Sequence, residues 1–135
     1  NTYKYISKPF VVRKVISSDT ADRILNILED VVNHGSGKEA GINGYKIAGK
    51  TGTSQTYKNG ILSDKNYIAS FAGIFPSNKP KYVCVVAINN PKVKGKHWGG
   101  VVAAPIIKNI FARIINEFNY DSKFTNDDFT IITDT

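Results

Sequence analysis

Residues 67–89 read YIASFAGIFPSNKPKYVCVVAIN. Two runs rich in β-branched and aromatic side chains, 67–75 and 81–89, flank the break Pro76-Ser77-Asn78-Lys79-Pro80. Such side chains suit a pleated, half-buried surface, whereas proline cannot donate to a ladder. Two strand-like runs joined by a five-residue connection predict a β-hairpin.

Upstream of the hairpin, residues 45–53 (YKIAGKTGT) read as a further strand. They run into a polar loop over 54–65, in which Asn59-Gly60 is a turn signal. Residues 19–34 carry Ile24, Leu25, Ile27, Leu28, Val31 and Val32 at helical spacing. Ser17, Ser18 and Asp19 offer N-caps, His34 falls in the last turn, and Gly35 suits the C′ position. Residues 35–41 read as a flexible glycine loop, and 9–16 as a short strand or extended arm.

Downstream, a lysine-rich loop and Gly99-Gly100 precede the clearest helix. There Ile106, Ile110, Ile114 and Phe118 repeat every four residues, with Ile107, Phe111 and Ile115 beside them and Pro105 in the first turn. The tail 119–135 has four aspartates and no period, and is assigned to no element. The order strand, helix, strand, strand, strand, helix predicts an α+β fold. An antiparallel sheet with covering helices then forms one domain over residues 1–135.

Composition narrows the class. With 41% hydrophobic and 21% charged residues, the chain is globular in character. No run of about 18 apolar residues exists to span a bilayer, and no signal peptide is visible. Cys84 is the single cysteine, which excludes an intramolecular disulfide or a cysteine metal cluster, and its apolar neighbours make it a small core hydrophobe. The net charge of +7 comes from fifteen lysines and three arginines. The lysines are dispersed with no block of five or six, so they read as solvated surface and no nucleic-acid partner is expected.

Against this background Lys50-Thr51-Gly52-Thr53 is poor core material. At a strand edge its chemistry is coherent. Unpaired backbone groups can pair with an extended peptide, and Gly52 removes a side chain from the approach. The hydroxyls of Thr51 and Thr53 can donate to a carboxylate, Lys50 supplies positive potential, and an edge N–H can face an oxyanion. The rival is a phosphate loop, because GYKIAGKT (44–51) formally matches Gly-x-x-x-x-Gly-Lys-Thr. That loop needs a buried strand before it and a helix after it, and neither is expected here. His97-Trp98-Gly99-Gly100 reads as a packing turn with Trp98 capping the core. His34 and His97, the only histidines, have no carboxylate spacing for a metal, and Asp64 and Asp121 lack partners for acid/base work. No cofactor is expected.

GSGKEA, GYKIAGKTGTSQ, YIASFAGIFPSNKPKYVCVVAINNPK and WGGVVAAPIIKNI follow one another in a single order. As a set they resemble the C-terminal part of the transpeptidase domain of monofunctional, class B penicillin-binding proteins, over residues 9–118. Lys-Thr-Gly is one of three motifs of that superfamily, with Ser-x-x-Lys and Ser-Asp-Asn. No serine of this chain has lysine three residues on or asparagine two on, so the nucleophile motif and its partner are missing. The resemblance therefore implies a fragment of a β-lactamase/transpeptidase-like fold.

It further implies a parent that cross-links peptidoglycan stem peptides by serine acyl transfer and is trapped by β-lactams. Carried over, Lys50 polarises the site, Thr51 and Thr53 hold the substrate carboxylate, Gly52 allows close approach, and the Thr53 N–H is half of an oxyanion hole. The implied partners are the remainder of the transpeptidase domain and the division or elongation machinery. The implied location is the cytoplasmic membrane on its cell-wall side, with the anchor outside this chain. In isolation the bare edge favours dimerisation or strand exchange. A D,D-carboxypeptidase or serine β-lactamase relative, and a non-catalytic basic binding domain, are the alternatives.

Overall fold

The computed structural model describes residues 10–58, 60–93 and 97–120. Helix α1 spans Ser18–Asn33 and starts where expected: the Ser17 hydroxyl accepts from the Thr20 amide at 3.1 Å. A 3-10 turn follows at Lys38–Ala40, inside the predicted glycine loop. Strands β1 (Ala48–Lys58), β2 (Ile61–Phe75) and β3 (Tyr82–Asn89) form an antiparallel sheet in that spatial order. A short helix α2 (Gly99–Val102) leads directly into α3 (Ala104–Glu117), with Pro105 in the first turn.

The hairpin read from residues 67–89 is present, with Phe75 opposite Tyr82 and Ile68 opposite Asn89. Period-two alternation sorts its side chains. Ala69, Phe71 and Phe75 of β2 are buried, and Tyr82, Cys84, Val86 and Ile88 of β3 pack against the same core. Val83 and Val85 lie on the opposite face and are exposed. Cys84, expected to be buried, is half-buried on the core face.

Helix α3 lies across this face of the sheet. Its buried row is Ala104, Ile107, Phe111 and Ile115, whereas Ile106 and Phe118 of the neighbouring row are 40% and 57% exposed. Phe111 packs on Phe75 with ring centroids 5.4 Å apart. The last turn of α1, through Val32, and the 3-10 turn, through Ala40, complete the core beside β1. The turn between β2 and β3 is tied to α1, because buried Ser77 donates from Oγ to Glu29 Oε2 at 2.6 Å.

Four expectations need correction. Residues 54–65 are not a loop: β1 runs to Lys58 and β2 begins at Ile61, so the hairpin continues through this stretch, with a register shift between Gln55 and Tyr57. The strand expected from 45 begins at Ala48. Of the two readings of residues 9–16, the strand is set aside, since 10–16 form none and Phe10, Val11, Val12 and Val15 are exposed. Gly99-Gly100 precede α3 as expected, but they lie in the short helix α2 and not in a turn. Of the tail, Tyr120 joins the core and its hydroxyl neighbour Tyr45 donates to the Tyr120 carbonyl at 2.8 Å. Residues 121–135, Asp121 among them, lie outside the described residues.

Candidate functional site

Lys50-Thr51-Gly52-Thr53 sits in β1, an edge strand of the sheet among the described residues. The pairing Lys50↔Ala72, Thr51↔Phe71, Gly52↔Ser70 and Thr53↔Ala69 fixes its faces. Thr51 and Thr53 share the face of buried Phe71 and Ala69, while Lys50 and Gly52 share the other with Ala72 and Ser70. Lys50 and Thr53 are exposed, and Thr51 and Gly52 are half-buried. The match to a phosphate-loop pattern has no structural counterpart, because residues 48–58 are strand and the next element is strand β2.

Both hydroxyls are held from outside the strand. Thr51 Oγ1 lies 3.0 Å from Ser36 Oγ, and the Gly99 amide donates to Thr53 Oγ1 at 3.2 Å. The Lys50 ammonium folds back along the strand and donates to the Thr51 carbonyl at 3.0 Å, with Thr51 Oγ1 at 3.5 Å. One ammonium, two hydroxyls and the backbone of an edge strand thus lie within four consecutive residues. Together they form a surface suited to an anionic, extended ligand.

Glycines make the approach of α2 possible. A Cβ on Gly99 would collide with the carbonyl oxygens of Ser70 and Gly52, and one on Gly100 with the carbonyl of Ser36. Gly52 itself faces Ser70, whose Oγ would stand 2.5 Å from an added Cβ. Ser36, Ser70 and Gly99 were not singled out from the sequence as site residues. The signal was there in the pairs Ser36-Gly37 and Gly99-Gly100, since neighbouring glycines mark close backbone approach.

Trp98 does not cap the core. It is 58% exposed, and its ring lies 4.5 Å from His97, which in turn stacks on Tyr67 at 4.1 Å. His34 caps α1 and pairs with Asp30 at 3.4 Å on the surface. Among the described residues no cluster of histidine, cysteine or carboxylate side chains could hold a metal.

The family model "penicillin binding protein transpeptidase domain" matches residues 1–112. Stage V sporulation protein D of Bacillus subtilis is 43% identical over 111 residues, covering 81% of this chain and 17% of that protein. A peptidoglycan D,D-transpeptidase FtsI homolog of Chlorokybus atmophyticus is 40% identical over 77% of this chain and 15% of its own length.

Among solved structures, penicillin-binding protein 3 of Mycobacterium tuberculosis in complex with ampicillin superposes with a TM-score of 0.70 and 34% identity, covering 78% of this chain and 25% of that one. The transpeptidase domain of Burkholderia pseudomallei penicillin-binding protein 3 gives 0.75 and 30%, covering 90% of this chain and 37% of that one. The chain therefore spans only 15–17% of the length of these curated relatives.

Proposed function

The chain belongs to the penicillin-binding protein transpeptidase domain family, and from that premise we propose that it is the part of a peptidoglycan D,D-transpeptidase that presents the substrate-binding edge. The observation that carries this reading is the position of residues 50–53 on an edge strand with Lys50 and Thr53 exposed. A stem peptide ending in a carboxylate docks there as an added strand. The hydroxyls of Thr51 and Thr53 hold its carboxylate, and Lys50 supplies the positive potential that strengthens those bonds.

Orientation of the edge supports the oxyanion role. Along a strand, backbone groups point to the same side at every second residue. The Thr51 carbonyl accepts from the exposed Lys50 ammonium, which favours the outward set for Thr51 and so for Thr53, two residues on. The outward Thr53 N–H is then one donor of the oxyanion hole. The serine that attacks the substrate carbonyl, and its own N–H as the second donor, lie in polypeptide outside this sequence. The acyl-enzyme forms as D-Ala leaves, and an amine from a neighbouring strand resolves it. β-Lactams occupy the same edge.

The parent acts on the cell-wall side of the cytoplasmic membrane, in division or elongation. Within the described residues no helix is long and apolar enough to cross a membrane.

Fluorescent penicillin and a denaturing gel test the reading. The 135-residue chain should give no covalent band, while the transpeptidase domain that contains it should give one that weakens in a Thr53→Val variant. A covalent band on the chain alone would refute it. Without the rest of its domain the chain should also self-associate, and a monomeric sedimentation profile at high concentration would count against that.

A further inference from the structure

We propose that Ser36 is a positioning residue for Thr51: its hydroxyl donates to Thr51 Oγ1 and so turns the Thr51 proton outward, to a carboxylate on the β1 edge. This rests on the reading of residues 50–53 given above and adds a residue to it.

A threonine hydroxyl has one proton and two acceptor sites. The Lys50 ammonium, 3.5 Å from Thr51 Oγ1, can only donate. The Ser36 hydroxyl, at 3.0 Å, can donate or accept. If Ser36 accepts, the Thr51 proton is spent within the protein and none is left for a ligand. If Ser36 donates, both acceptor sites of Thr51 face donors, and its proton is free for a third group. A carboxylate only accepts, so its arrival selects the second arrangement.

The backbone holds Ser36 where this works. The amide of Gly35 donates to the carbonyls of Asp30 and Val31 at 3.1 Å each, and that of Gly37 to Val31 at 2.9 Å. Gly37 also lies against the Phe71 ring, 3.0 Å from the position of an added Cβ. Gly100 closes over the Ser36 carbonyl from the other side, with no room there for a side chain. The serine is therefore pinned between the end of α1 and the start of α2, with its side chain directed at the edge strand.

The test uses the transpeptidase domain that contains this chain and compares acylation by benzylpenicillin with acylation by its methyl ester, which lacks the anion. Ser36→Ala should lower the acid-to-ester rate ratio about tenfold, within the range for one charge-assisted bond. Ser36→Thr should preserve the ratio, and Ser36→Ala should have no further effect on it in a Thr51→Val background. Equal loss of both rates in Ser36→Ala, or no loss, with the ratio still lowered by Thr51→Val, overturns the role of Ser36 alone. An unchanged ratio in Thr51→Val removes the carboxylate role of Thr51 and overturns this proposal with it.

Discussion

The amide of Gly99 donates to the hydroxyl of Thr53 across 3.2 Å, tying the first turn of α2 to the edge strand. The contact exists because Gly99 has no side chain: its Cα lies against the carbonyls of Ser70 and Gly52. One residue thus serves both packing and the orientation of a site hydroxyl.

Gly99→Ala should therefore be costly. The colliding atoms are backbone, which cannot rotate away, so the helix must lift from the strand. A loss of about 1–3 kcal/mol is expected, as for overpacked interiors, together with slower acylation by penicillin. Urea unfolding of the domain measures the first. Wild-type stability in this variant would show that α2 does not press on the sheet.

Ser77 and Glu29 give a second, separable prediction. Removing the buried hydroxyl in Ser77→Ala leaves the half-buried Glu29 carboxylate without its 2.6 Å donor. The expected cost is about 1–3 kcal/mol. Acylation should be unaffected once the variant is folded, because the pair lies at the β2–β3 turn. A stability change below a few tenths of a kcal/mol would contradict this.

Two rows of α3 should differ in the same assay. Phe111→Ala, in the buried row, is expected to cost about 3–5 kcal/mol. Ile106 is 40% exposed, so Ile106→Ala should cost distinctly less. Equal losses would mean that the helix is rotated from the orientation described.

Tyr120 predicts a pH effect. Burial, reinforced by a hydrogen bond and charge repulsion from Tyr82, pushes its phenol from 10.0 up to about 12. The unfolded chain loses this proton first, so the group's contribution is complete below pH 10 and is lost as pH rises towards 12. The stability difference between wild type and Tyr120→Phe should shift against the wild type across that window. A difference constant with pH would show that the phenol is not buried.

Much of this fold was legible because it is written in side-chain period. The β-branched and aromatic runs 67–75 and 81–89 around a proline-bounded break gave the hairpin, and the helical spacing with caps around Ser17 and Gly35 gave α1. The stretch 54–65 was missed for a physical reason. It carries no apolar alternation, since Tyr57, Ile61 and Leu62 are exposed, so its pairing leaves no burial signal. For residues 9–16 the β-branched composition left a strand and an extended arm open, and no ladder partner for a strand is present among the described residues.

In α3 the four-residue repeat did not tell which row is buried, because isoleucines stand on both rows and only contact with the sheet separates them. At the site, the Lys-Thr-Gly-Thr run was visible as chemistry. Ser36 and Gly99 were not, because their roles depend on contacts 15 and 46 residues away in sequence.

The most direct measurement is a crystal structure of the transpeptidase domain that contains this chain, acylated by a penicillin. The ligand should lie along β1, with its carboxylate within hydrogen-bond distance of the Thr51 and Thr53 hydroxyls and its acyl oxygen about 3 Å from the Thr53 nitrogen. A ligand whose carboxylate and acyl oxygen make no contact with residues 50–53 would contradict the reading of this edge as the substrate site.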